Sequence, residues 1–142
     1  MKKINLTSEE SFAIKEAIEK EQYSKELGDY WKWKKDKERR YIQAVKDLVP
    51  RVGLGCTICY YSDRCAATIT EIISPCKIAV RNNKTECKDY YNSEYKILDE
   101  LEGAPQIFTK RRNGFWVAEG QPYKDGVKLA IHYQHHYIDP EF

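Results

Sequence analysis

Thr109-Lys110-Arg111-Arg112-Asn113-Gly114-Phe115-Trp116-Val117 decides the class of this fold. Asn-Gly tolerates the positive φ of a tight reversal, and here it separates two segments rich in strand-forming residues, so the stretch reads as an antiparallel hairpin. Working outward, the same pattern holds from Pro50 onward: β-branched and aromatic residues dominate, and turn signals recur at short intervals. The expected strands are Thr57 to Tyr61, Ala66 to Ile73, Lys77 to Arg81, Tyr95 to Leu98, Gln106 to Lys110, Phe115 to Ala118 and Lys128 to Tyr133. Asn82-Asn83 and Asp125-Gly126 are further expected turns, and strands spaced this closely pair antiparallel.

Before Pro50 the periodicity is helical. Thr7-Ser8-Glu9-Glu10 predicts a helix start in which a hydroxyl accepts from a free amide and a carboxylate three residues on returns the bond. Ile14, Ala17 and Ile18 form its apolar stripe, and Gly28 offers a stop. A second helix is expected from Asp29 to Val49, with Tyr30, Trp33, Tyr41, Val45 and Leu48 on one side and Pro50 closing it. Helices first and strands afterwards give an α+β class: an N-terminal helical pair followed by an antiparallel curled sheet or partial barrel. The expected organisation is a single domain over 1–142, with residues 1–50 as a helical arm for oligomerisation and 51–142 as the sheet half holding a ligand pocket.

A chain of 142 residues with 42% hydrophobic and 32% charged residues can build one ordinary core. Its 24 basic and 22 acidic residues leave a net charge of +2, too balanced for a protein that coats DNA. Met1-Lys2-Lys3 runs at once into polar residues, and no apolar run approaches the ~20 residues of a membrane span, so a cytoplasmic protein is expected. Five cysteines suit reduced thiols better than a disulfide framework.

Three constellations could carry chemistry. Cys56-x-x-Cys59 would suit Zn²⁺ if a second pair existed, but Cys65, Cys76 and Cys87 stand alone. Positions three apart on a strand also point to opposite faces, so buried thiols and no metal are expected. His132, His135 and His136 near Asp139 could supply a general base, yet no nucleophile stands in a recognised setting, and a polar strand end is the plainer reading. The third group mixes Arg, Asn and aromatic residues: Tyr60-Tyr61-Ser62-Asp63-Arg64, Arg81-Asn82-Asn83, Tyr90-Tyr91-Asn92 and Phe108 through Trp116. Guanidinium forks match phosphate oxygens, rings stack on bases, and Asn or Asp can read base edges, a set that suits a small phosphorylated nucleotide. The same residues are also ordinary strand formers, edge charges and turn makers.

Val52-Gly53-Leu54-Gly55-Cys56-Thr57-Ile58-Cys59-Tyr60-Tyr61-Ser62-Asp63-Arg64-Cys65-Ala66-Ala67-Thr68 resembles small proteins of phages and prophages of Gram-positive bacteria. Phe108-Thr109-x-Arg111-x-Asn113-Gly114-x-Trp116-Val117 and Tyr137-x-Asp139-Pro140-x-Phe142 fit the same pattern. Within that group the chain is similar to the first described family of Thoeris anti-defence proteins. That family carries His at the place of Cys65, and no role is assigned to the position. The resemblance implies a non-enzymatic sponge in the host bacterial cytoplasm, sequestering a cyclic ADP-ribose isomer, with other cyclic nucleotides able to share the pocket. Arg64, Asn92, Arg111 and Arg112 are the expected anchors, with Tyr61, Phe108, Asn113 and Trp116 beside them. No cofactor is implied.

Tyr30, Trp31, Trp33 and Tyr41 give the helical arm more aromatic surface than a lone helix pair readily hides, so a homo-oligomer built on dimers is expected. Two rivals remain at this point. One is a protein-binding inhibitor that docks Trp31 to Arg40 on a host defence enzyme, and the other is a nucleotide-signal hydrolase using His132, His135 or His136.

Overall fold

A computed structural model describes residues 3–18 and 30–140, without the side chains of residues 16–18. The chain forms two compact units, one of residues 6–49 and the other of residues 1–5 together with 50–142.

The first unit holds α1 (Ser8–Ile18) and α2 (Tyr30–Lys46), which pack on each other. The expected capping box is present, with the Thr7 N–H donating to Glu10 Oε1 at 2.9 Å and the Glu10 N–H donating to Thr7 Oγ1 at 3.2 Å. Ile14 is buried as the stripe requires; the side chains of Ala17 and Ile18, and the expected continuation to Gly28 and Asp29, lie outside the described residues. No residue of α2 is buried, whereas Leu48 just beyond it is. The run from Lys34 to Arg40 is a mixed-charge face with an Arg39–Asp36 ion pair at 3.0 Å, and lysines reach over the Trp31 and Trp33 rings.

The second unit is six antiparallel strands: β1 (Gly55–Cys59), β2 (Arg64–Ser74), β3 (Lys77–Asp89), β4 (Glu94–Lys110), β5 (Trp116–Ala118) and β6 (Lys128–Ala130). Neighbours in sequence pair, and β6 returns to β1, so hydrogen bonds run round a ring that is too uneven to be a regular barrel. The core is the apolar side of that ring: Cys56 and Ile58 of β1, Ala67 and Ile69 of β2, Ile78 and Val80 of β3, Phe108 of β4, Trp116 of β5 and Leu129 of β6. Each alternates with residues turned the other way, as the strand period demands. Ile4 joins this unit through a parallel bridge to Leu54, its N–H donating to Gly53 O at 3.0 Å.

Two expectations are corrected here. Asn82-Asn83 is not a turn but the middle of β3, because both amides find partners distant in sequence. Asn83 Oδ1 accepts from Thr68 Oγ1 at 2.7 Å, its Nδ2 donates to Leu98 O at 2.8 Å, and Asn82 Oδ1 accepts from Gln106 Nε2 at 3.2 Å. The segments Tyr95 to Leu98 and Gln106 to Lys110 are one strand, β4, kept paired with β3 by register shifts that absorb the residues between them. The true reversal is Tyr90 to Ser93, where the Asp89 carboxylate accepts from the N–H groups of Tyr91 and Asn92 and Ser93 takes a φ of 52°. Those bonds hold the Asp89 carboxyl below its ordinary range, the Asn92 side-chain amide contributing most. The Asn113-Gly114 turn stands as expected, with Gly114 at φ 87° and its N–H donating to Arg111 O at 2.8 Å.

β6 ends at Ala130, short of the expected Tyr133. Residues 133–139 instead form a strap across the outer face of β1 and β2. Thr57 Oγ1 donates to Tyr133 O at 2.9 Å and accepts from the His135 N–H at 3.0 Å, and Gln134 Nε2 donates to Ala67 O at 2.8 Å. Tyr137 and Arg64 exchange both backbone bonds, at 2.7 and 2.8 Å. Ser93 Oγ bonds both the N–H and the carbonyl of Ile138, and the Asp139 N–H donates to Asp63 Oδ1 at 2.9 Å.

Candidate ligand-binding site

Because the strap ties Arg64 to Ser93, it brings the β1–β2 turn and the β3–β4 turn to one end of the sheet unit. Tyr60, Tyr61 and Arg64 stand on the first, Tyr90, Tyr91 and Asn92 on the second, and Tyr133 and Tyr137 on the strap. All six tyrosines are exposed, Tyr61 by 94% and Tyr91 by 85%, a concentration of aromatic surface that a ligand or partner can use.

Arg64 is the charged centre of this crescent. Its Nη1 donates to Tyr60 O at 2.8 Å and to Asp63 O at 3.0 Å, so the carbonyls of its own turn hold the guanidinium in place. The Tyr133 hydroxyl lies 3.7 Å from Cys59 Sγ and feels the charge of Arg64. Burial pushes the Tyr133 phenol up, aided by Cys59 and opposed by Arg64; it stays neutral and able to donate at ordinary pH. Burial likewise raises Tyr60, with Cys65 adding and Gln106 opposing, and raises Cys65, with Asp63 and Cys59 adding to the effect. A guanidinium fixed by carbonyls and flanked by phenols can hold an anionic group against aromatic faces.

The histidines take structural positions. His136 Nδ1 accepts the Ala66 N–H at 3.3 Å, and its ring meets Tyr95 edge-on with centroids 4.7 Å apart. Burial, then the neighbouring His135, lowers the His136 pKa, with Asp63 acting the other way; burial alone lowers His132. His135 stacks on Tyr137. Cys56 and Cys59 point to opposite faces of β1: Cys56 is in the core, where burial pushes its thiol far up, and Cys59 faces Tyr133. Among the described residues no group of three or more His, Cys, Asp or Glu side chains is arranged to hold a metal ion.

The sequence-selected residues therefore separate into three places. Arg64, Tyr61 and Asn92 belong to the crescent, although the Asn92 amide also closes its own turn by donating to Asp89 at 2.7 Å. Arg111, Arg112 and Asn113 stand on the β4–β5 turn. There Arg111 is a structural tie: Nε donates to Thr109 Oγ1 at 3.0 Å, and Nη2 donates to Ala118 O at 3.2 Å and Gln121 O at 2.6 Å. Asn113 Oδ1 accepts the Phe115 N–H at 3.1 Å, while Arg112 is exposed. Phe108 and Trp116 stand in the core of the sheet unit, at 0% and 3% exposure. The sequence reading left out Tyr133 and Tyr95, for which the available signal was the recurrence of tyrosine among the terminal histidines and opposite Cys87.

Apart from this end, α2 carries a helical stripe of Tyr30, Trp33, Lys34, Lys37, Tyr41 and Ile42 along an open groove of about 710 Å³. No helix among the described residues is long and apolar enough to cross a membrane. Compared with known proteins, the chain matches no family model, no curated relative and no solved structure.

Proposed function

We propose that this protein binds a small cyclic nucleotide signal of the cyclic ADP-ribose type and holds it unchanged, as a phage anti-defence sponge against Thoeris immunity in the host bacterial cytoplasm. The observation that carries the reading is the crescent at one end of the sheet unit: a guanidinium held by its own turn carbonyls, on turns and a strap that also carry six exposed tyrosines. Such a surface supplies what a ring-bearing phosphate ester needs, a bidentate donor and flat apolar faces. Burial keeps the Cys56 and Cys65 thiols protonated, and His136 spends its Nδ1 on a backbone amide, an arrangement that favours holding a ligand over attacking it. Sequestration requires no cofactor, and a homo-oligomer built on dimers is part of the proposal.

The test is recovery. Purified protein is mixed with lysate containing the signal, filtered from it and heat-denatured, and the released material is analysed by mass spectrometry. Intact cyclic ADP-ribose isomer supports the sponge, a converted product supports a hydrolase, and neither depletion nor release rejects both. The aromatic stripe of α2 favours a second reading, a protein-binding inhibitor of a host defence enzyme; that reading predicts capture of the enzyme with no nucleotide recovered.

A further inference from the structure

The strap is held almost entirely through groups that do not titrate near neutrality: the Thr57 and Ser93 hydroxyls, the Gln134 amide and the paired backbones of Arg64 and Tyr137. His136 is the exception. Its Nδ1 accepts the Ala66 N–H, which leaves the imidazole neutral with its proton on Nε2, and the ring is wedged against Tyr95. A protonated imidazole has no acceptor at all. Two donors would then meet across 3.3 Å, next to the place where Tyr137 pairs with Arg64.

We propose that residues 133–139 form an acid-sensitive latch, in which protonation of His136 releases the Ala66 N–H and withdraws Tyr133 and Tyr137 from Arg64. The groups around His136 decide the direction. Asp63 of the β1–β2 turn is the carboxylate that favours its charged form, while Arg64 of β2 turns its guanidinium to the Tyr60 and Asp63 carbonyls. Cys65 stands on β2 beside Asp63, Tyr95 of β4 lies against the ring, and Cys87 of β3 and Tyr90 surround Tyr95. On the strap itself the neighbouring His135 disfavours a charge on His136, and the Asp139 N–H already occupies Asp63 Oδ1. Burial of the ring and the His135 charge outweigh the single carboxylate, so the closed strap binds fewer protons than the open one.

Opening therefore rises as the pH falls below the ordinary histidine pKa of ~6.5 and levels off below the closed-state value. For one proton the gain between pH 7.5 and 5.5 is at most about tenfold. The consequence for nucleotide affinity rests on the function proposed above; the latch does not, and its test uses no nucleotide.

Amide hydrogen exchange of the full chain, corrected for intrinsic rates, is compared at pH 7.5 and 5.5. Ala66 and residues 133–139 are expected to lose up to tenfold in protection through an opening that dilute urea leaves unchanged, whereas Ile69, whose N–H donates to Leu54 O at 3.0 Å, exchanges on global unfolding and its protection falls with added urea. His136→Asn places a non-titrating amide oxygen near the position of Nδ1 and is expected to flatten the response. Equal wild-type protection at both pH values overturns the proposal, as does a folded His136→Asn protein that loses protection as steeply as wild type. An NMR titration of the wild-type histidines provides an independent check. The midpoint of strap opening has to follow the His136 ring, and a midpoint that follows His132 or His135 overturns the latch.

Discussion

Replacing Arg111 with Ala separates a structural arginine from a ligand-binding one. The side chain makes three hydrogen bonds, to the Thr109 hydroxyl and to the carbonyls of Ala118 and Gln121, and so ties β4 to β5 and to the segment that follows. Bonds from a charged donor are each worth about 1.5–3 kcal/mol where water is excluded, but this side chain is half-buried and water re-solvates part of what is lost. A net cost of about 2 kcal/mol follows for the sheet unit. With a urea slope of about 2 kcal/mol per molar, the midpoint should fall by about 1 M. Arg112, exposed on the same turn, is the matched control, and Arg112→Ala should stay within about 0.5 kcal/mol of wild type. Urea titrations followed by tryptophan fluorescence report on this region through buried Trp116, with the Trp31 and Trp33 signals removed by Phe substitutions in all three proteins. If Arg111→Ala and Arg112→Ala melt together, the three bonds do not constrain the turn and the structural assignment of Arg111 is wrong.

A methyl group on Gly126 would lie 2.5 Å from Pro122 O and 2.6 Å from Val117 Cγ1, so Gly126→Ala should cost about 1–3 kcal/mol in the same assay; an unchanged midpoint would mean that the turn is not packed as described. Maleimide labelling of the native protein should modify exposed Cys76 and Cys87 quickly and reach buried Cys56 only on unfolding, which peptide mapping would contradict if Cys56 were labelled early. His132 and His136 both have lowered pKa values, so the unfolded chain binds more protons than the folded one. Stability should accordingly decline as the pH falls below ~6.5, and urea midpoints that rise from pH 7.5 to 5.5 would refute that sign.

What could be read from the sequence was local chemistry. Thr7 and Glu10 cap a helix through bonds three residues apart, and Asn113-Gly114 makes a turn through its own backbone freedom, so both were visible before any folding. Asn82-Asn83 misled because its turn propensity is local while the partners that keep it extended, Thr68, Leu98 and Gln106, are distant in the chain. The length of β4 was hidden for the same reason, since Asp99 to Pro105 contains little that favours a strand and stays in one only through β3. In the candidate site, Arg64 and Tyr61 were accessible from composition around a turn. The carbonyl partners of Arg111 were not, because a backbone oxygen leaves no trace in residue identity. Phe108 was a different case: it falls opposite Ile78 in the apolar run Ile78-Ala79-Val80, so a pairing argument would have assigned its ring to the core.

The sheet unit is written in the sequence as two pieces, residues 1–5 and 50–142, with the whole helical unit between them. Ile4 donates to Gly53 and Arg51 reaches Asn5 O, so the chain leaves the sheet and re-enters it at adjacent points. The helices are thus an insertion with a closed doorway, and a gap that short can be bridged by a few flexible residues. Residues 6–49 can be exchanged for another element without rerouting any strand. A lineage carrying this sheet is free to replace the element at this doorway while every strand pairing stays as it is.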